Sequence, residues 1–320
     1  MVDTKVFFAT DVHGSELCFK KFLSAKKFYQ ADVLILGGDM TGKIVVPIIR
    51  QPDGTFKCRY LGRQLTLKNR ADLDRIETGI RMNGYYPYHT DPSEAEDLGK
   101  DKAKMNTLFR RLMLDTLQRW IGIAEERFRD TSEKIYITGG NDDPYEIEPI
   151  LNKSNVITNP EGKVIRIDDQ HEMLSSGHSN ITPWGCPRDI SEEELETKIT
   201  SMLSQVQDMK NCIFNLHVPP YGTGIDTAYE LEVHGDEVVQ VMRDGKPHEI
   251  PVGSKSVRNA IEKSQPLLGL HGHIHESRGI CKVGRTLCVN PGSEYSEGVL
   301  RGALITVGDG RIKDYMLTSG

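Results

Sequence analysis

Short, nearly uniform apolar runs separated by amphipathic stretches dominate the chain. The first, Lys5–Thr10 (KVFFAT), predicts a strand; an amphipathic helix around Ser15–Phe28 follows, then a second strand, Asp32–Leu36 (DVLIL). A nearly all-apolar second strand after a helix reads as a βαβ unit whose strands are buried on both faces. The next run of that character is Lys134–Thr138 (KIYIT). Between them, Thr41–Asp74 reads as an extended or hairpin region with a turn at PDGT (52–55), and Arg81–Gly99 as a polar, irregular stretch. Lys100–Arg129 places Met105, Leu108, Leu112, Leu117, Trp120, Ile121 and Ala124 at helical spacing. We take Thr41–Glu133 as an insertion that covers one side of a site, in a chain whose 1–320 otherwise forms one domain.

From Val156 the pattern changes to shorter strands and turns: VIT, NPEG, VIRI and HEMLSSG. A helix over Ser191–Met209 opens with Ser191 as N-cap and Glu194 three residues on, the spacing of a capping box. The run CIFNL leads to His217, and Asp244-Gly245 predicts a tight hairpin. Helix Ser254–Lys263, strand PLLGL and the strands TLCVN, VLRGALITVG and IKDYML complete the chain. Strands in both halves with helices between them predict an α/β fold of two packed sheets flanked by helices.

Composition narrows the class. A chain of 320 residues with 38% hydrophobic and 27% charged residues is an ordinary globular mixture, large enough for a sizeable core. Its net charge of −6 offers no electrostatic stripe for a nucleic-acid backbone. The six cysteines are scattered without CxxC spacing, which predicts reduced thiols. The opening MVDTKVFFATDVHG has no basic n-region before a long apolar stretch, and no apolar run reaches the ~20 residues of a membrane helix. A cytoplasmic protein without a membrane partner is expected, with a homo-oligomer left open.

The chemistry lies at the ends of the predicted strands. Asp11-Val-His13, Gly37-Gly38-Asp39, Gly139-Gly140-Asn141-Asp142-Asp143, His217 and His271-Gly-His273-Ile-His275 each follow a short β-rich segment. Together they supply carboxylates (Asp11, Asp39), an amide (Asn141) and imidazoles (His13, His217, His273, His275). Paired divalent cations need a shared oxygen ligand and separate nitrogen and oxygen ligands on each side. A thiolate-free set of this kind suits Mn²⁺, with Fe or Zn²⁺ as alternatives. His271 reads as structural, and His89, His171, His234 and His248 as surface or loop histidines; Arg110, Arg111 and Arg119 read as a solvated helix face.

These blocks, in this order, resemble the calcineurin-like metallophosphoesterase superfamily, whose pattern is DxH, GD, GN[HD], a lone His and GHxH. The resemblance implies a four-layer α-β-β-α sandwich with an inserted segment and a binuclear metal centre. It assigns Asp11, His13 and His275 to one metal, Asn141, His217 and His273 to the other, and Asp39 to the bridge. Asn290-Pro-Gly-Ser293 resembles a turn common in the phosphodiesterase-like branch. The implied activity is hydrolysis of a small phosphate ester by in-line attack of a metal-bridging hydroxide, most simply on a diester. Asp39, Asn141 and Asp142 are then the catalytic set.

One departure stands out. Where many members of the superfamily have His after the Asn of the third block, this chain has Asp142, which is ionised at neutral pH unless burial or Asp143 raises its pKa. His178 and Tyr221 are candidates to assist the leaving group instead. The alternatives are a phosphomonoesterase acting on small phosphorylated metabolites and a catalytically weak scaffold of the same fold.

Overall fold

The computed structural model describes residues 3–129, 134–235 and 237–320. Two six-stranded sheets face each other. The first runs, edge to edge, Arg311–Ser319, Arg301–Gly308, Thr4–Ala9, Val33–Leu36, Lys134–Ile137 and Ile157–Thr158. The second runs Gly279–Val283, Thr286–Asn290, Leu268–Leu270, Cys212–Leu216, Glu172–Ser176 and Val164–Arg166. The central strands are parallel, with Phe8 opposite Ile35 and Ile35 opposite Tyr136 in the first sheet, and Phe214 opposite Gly269 in the second.

The period-two alternation of a strand explains the layering. Val6, Phe8, Val33 and Ile35 point inward and meet Ile213, Leu268, Leu270 and Val289 of the facing sheet. Phe7, Ala9, Leu34 and Leu36 point outward and are covered by Phe19, Phe22 and Leu23 of helix Glu16–Phe28 and by Trp120 and Ala124 of helix Lys102–Phe128. On the far side, Leu174, Phe214 and Leu216 pack under Leu195 and Ile199 of helix Glu192–Leu203 and Val257 and Ile261 of helix Lys255–Ser264. The result is the expected four-layer α-β-β-α sandwich.

The insertion has more order than its polarity predicts. Helix Arg70–Met82, strand Tyr85–Thr90 and helix Pro92–Lys100 replace the irregular stretch expected over 81–99. The strand lies at the edge of a four-stranded sheet, beside Ile44–Arg50, where Pro87 is tolerated. A small core of Val46, Ile48, Cys58, Leu67, Leu73 and Ile80 sits beneath this sheet. The helix expected over Lys100–Arg129 starts afresh at Lys102, because the Asp101 side chain accepts from the Ala103 and Lys104 amides. The insertion's expected end at Glu133 lies outside the described residues.

Three smaller expectations change. The helix from Ser191 keeps its capping box but ends at Leu203. Arg119, read as solvated, donates to Glu16 at 2.7 Å and so ties the insertion helix to the first helix. His171, read as a surface or loop residue, is fully buried and sits 2.7 Å from Asp168. At Asp244-Gly245 both φ angles are positive, as a tight hairpin turn requires. Among the described residues no helix is long and apolar enough to cross a membrane.

Candidate metal centre

The loops that leave the carboxyl ends of Thr4–Ala9, Val33–Leu36, Lys134–Ile137, Cys212–Leu216 and Leu268–Leu270 converge at one edge of the sandwich. Their backbone is unusual. Asp11, His13, Asp39 and His273 all have positive φ (53°, 37°, 49° and 68°), a region that non-glycine residues occupy at a cost and that clusters at functional sites. Neighbouring loops hold these conformations in place. The Asp11 amide donates to Gly38 O (3.0 Å), that of His13 to Asp39 O (2.9 Å) and that of Gly14 to Met40 O (2.7 Å). The Asp143 carboxylate, fully buried, accepts from the Met40, Thr41 and Gly140 amides and the Thr41 hydroxyl, which locks the third loop onto the second. Asp143 is therefore a clamp rather than the neighbour that would raise the Asp142 pKa. Gly140 is required for packing, since a Cβ there would collide with the Asp39 carboxylate.

Among the described residues the side chains gather in overlapping groups that could hold metal ions: Asp11 with His13 and His275, Asp39 with His217 and His273, and His13 with Asp39 and Asp142. Asn141 extends the second group, its Oδ1 2.9 Å from His273 Nδ1. Asp39 Oδ2 lies between the groups, 3.6 Å from His13 Nε2 and 3.4 Å from His217 Nε2. His217 Nδ1 donates to Gly37 O (3.0 Å), which turns Nε2 towards the carboxylates. That Nε2 and His13 Nδ1 are buried without a hydrogen-bond partner. Unpartnered buried imidazole nitrogens beside carboxylates fit a divalent-metal site. His271 is buried outside this shell and faces the Leu216 and Val218 carbonyls, as its structural reading predicts.

The electrostatics point the same way. Burial would raise the Asp11 carboxyl, but His275, His217 and His13 outweigh it and hold it well below the usual carboxylate range. Burial, with Asp11 and Asp143 adding, pushes Asp39 up to about 6 against the pull of His217. Burial opposes charge on His217, yet Asp39 and Asp11 raise it to about 10. Burial takes His273 down to about 3, helped by the nearby His217. Carboxylates crowded this closely need positive charge among them, which protons supply in the metal-free chain.

Asp142 lies beside both groups, its amide donating to Asp39 Oδ1 (3.0 Å). Lys43 Nζ is 2.5 Å from Asp142 Oδ2, and Cys186 Sγ donates to Oδ1 at 3.2 Å. Burial works to raise the Asp142 pKa, but Lys43 prevails and holds it below its ordinary value. Of the alternative helpers, Tyr221 lines the cleft above the site, whereas His178 is buried against Tyr145 and Glu161.

The cleft has a volume of about 890 Å³. Its floor is Asp39, Asn141, Asp142, His273 and His275, and its walls are residues 180–184, Cys186, Glu192 and a set drawn from 221–255. From the insertion only Lys43 lines it among the described residues, so the expected cover comes mainly from elsewhere. The insertion instead buttresses the ligand loops: Gly84 packs on the His13 backbone and the Tyr86 hydroxyl accepts from the Gly42 amide (2.6 Å). Lys43 and Asp189 join the site without having been singled out in the sequence. Lys43 stands four residues after Asp39 and was within reach of that motif, but nothing in CPRDI marks Asp189.

The layered fold and the clustered Asp, Asn and His side chains agree with the sandwich and the metal-binding set that the motifs implied. No family model matches the chain. It is 35% identical over 160 residues to the uncharacterized protein MJ1162 of Methanocaldococcus jannaschii, over 49% of this chain and 63% of that protein; the chain thus spans less than two thirds of that curated relative's length. Among solved structures, TT1561 of Thermus thermophilus superposes with a TM-score of 0.55 at 12% identity, covering 100% of this chain and 99% of that one. A further crystal structure gives 0.56 at 16% identity over 99% of both chains. At these identities the likeness is one of fold.

Proposed function

We propose that the protein is a metal-dependent phosphoesterase with a binuclear centre, and that it prefers phosphodiesters. The observation that supports this most directly is the position of Asp39 Oδ2 between His13 and His217, one from each ligand group. In this reading Asp11, His13 and His275 would hold one divalent cation, Asn141, His217 and His273 would hold the other, and Asp39 would serve both. Mn²⁺ suits the donor set, with Fe or Zn²⁺ as alternatives. Bound cations would polarise the phosphoryl oxygens and make a nucleophile available from water at neutral pH.

The chain's own residues do the rest. Gly37 O fixes the His217 tautomer, Asp189 orients the Asn141 amide (3.0 Å), and Asp143 holds the Asp39 and Asn141 loops in register. Asp142, ionised beside Lys43, is no proton donor, which favours esters whose leaving groups depart without one. Among the described residues Lys43 and Lys255 are the cleft-lining lysines, and Lys43 already neutralises Asp142. The single charge of a diester asks less of such a cleft than the two charges of a monoester.

The test is hydrolysis of bis-p-nitrophenyl phosphate and p-nitrophenyl phosphate by Mn²⁺-loaded protein, with Asp39→Asn alongside. Diester turnover that disappears together with bound metal in the variant is the expected result. A variant that keeps full metal and full activity overturns the bridging role, and a preference for the monoester overturns the diester reading.

A further inference from the structure

One wall of the cleft differs in character from its floor. Trp184 is 64% exposed and Ile181 69% exposed, and both line the cleft that holds Asp39 and His273. Exposed large apolar side chains occur elsewhere on the surface too, as at Phe28 and Leu61, but these two stand beside a polar floor in a concave cleft, the setting of small-molecule sites. Their loop is also firmly built. The Asp189 carboxylate accepts from the Thr182 amide (3.1 Å), the Thr182 hydroxyl (2.5 Å) and the Cys186 amide (3.0 Å) through one oxygen, and from Asn141 Nδ2 (3.0 Å) through the other. The Cys186 thiol reaches on to Asp142. A single carboxylate thus fixes the loop that carries Trp184 and a floor residue in the same frame.

We infer that Trp184, with Ile181, is a stacking platform for a planar aromatic group on the substrate, which makes the substrate class phosphate esters of nucleosides. This rests on the phosphoesterase reading, since it takes the floor as the phosphoryl end of the ligand. The cleft volume of about 890 Å³ is far larger than a phosphate needs and falls in the range of sites that enclose a nucleotide-sized ligand. A ring on Trp184 is recognised by its π face, which every nucleobase offers, so the platform selects for a base without selecting among bases.

The chain's two tryptophans make the test direct, because Trp120 is 2% exposed and Trp184 alone can report a ligand in the cleft. Mn²⁺-loaded protein is titrated with adenosine monophosphate and with ribose 5-phosphate, by calorimetry for affinity and by tryptophan emission for location. The expected result is quenching by adenosine monophosphate only, and about tenfold or tighter binding of the base-bearing ligand, in line with the worth of one base–aromatic stack. Trp184→Ala should abolish that ratio at unchanged metal content and unchanged ribose 5-phosphate affinity, and Trp184→Phe should keep most of it. Equal affinity for the two ligands in the wild type, or a ratio that survives Trp184→Ala, overturns the platform. Turnover of bis-p-nitrophenyl phosphate and p-nitrophenyl phosphate measured on the same wild-type sample separates the two readings. Turnover of either ester without base discrimination removes the platform alone, and discrimination without turnover of either ester removes the hydrolase reading alone.

Discussion

Lys43 Nζ lies 2.5 Å from Asp142 Oδ2, an ion pair at the mouth of the ligand cluster. It decides what Asp142 can do. Position 142 holds a carboxylate that its lysine keeps below its ordinary pKa, and the neighbouring Asp143 is occupied in clamping two loops.

A proton donor restored at this position should therefore help esters that need one. For Asp142→His we expect at least about tenfold faster turnover of alkyl phosphodiesters, with little change for p-nitrophenyl esters, since positioned general acids contribute about 10²–10⁴-fold. The ratio of kcat for the two ester types checks this. An unchanged ratio would place residue 142 away from the leaving group.

Metal binding should release protons at pH 7. His217 is raised to about 10 in the metal-free chain, so it is protonated at neutral pH, and it must be neutral to act as a ligand. The sign follows: affinity rises as pH rises from 7 towards 10, and falls in acid as the ligand shell protonates. Calorimetry of Mn²⁺ binding in buffers of different ionisation enthalpy counts the protons released, and none released would remove His217 from the shell.

Asp189 reaches the centre only through Asn141, and it should still matter. Asp189→Ala leaves the Asn141 amide and the Thr182 and Cys186 amides without their acceptor. Loss of a residue that orients a ligand typically costs about 10–100-fold in metal affinity. We expect a loss of that size, accompanied by loss of the discrimination for base-bearing phosphates because the Trp184 loop shares the same anchor. Metal affinity unchanged in the variant would show that Asn141 is oriented by other means.

Much of this is readable in the chain because the chemistry is local. Each candidate metal-binding residue follows an apolar strand within a few residues, so Asp11, His13, Asp39, Asn141, His217, His273 and His275 can be named together with the strands that present them. The glycines and the capping box at Ser191 are legible for the same reason. The stretch 81–99 reads as irregular because its strand, Tyr85–Thr90, lies at a sheet edge where tyrosine, proline and histidine replace the alternation of a buried strand. Arg188 and His171 do not read as buried groups. Arg188 is 0% exposed because it donates to Asp143 O (2.8 Å) and Glu148 (2.8 Å) under the Tyr145 ring, partners no local pattern announces.

The sequence by itself determined the layered α/β fold and the kit of candidate metal-binding side chains, since strand alternation and strand-end motifs are properties of neighbours along the chain. Tertiary structure alone decided how those side chains are arranged. It brought Lys43 to Asp142, tied Asn141 to Asp189 across 48 positions, moved the cover of the cleft from the insertion to residues 180–184, Cys186, Glu192 and a set drawn from 221–255, and set Trp184 above the floor. Those relationships are contacts between loops far apart in the chain, and only the packing of the two sheets fixes where such loops meet.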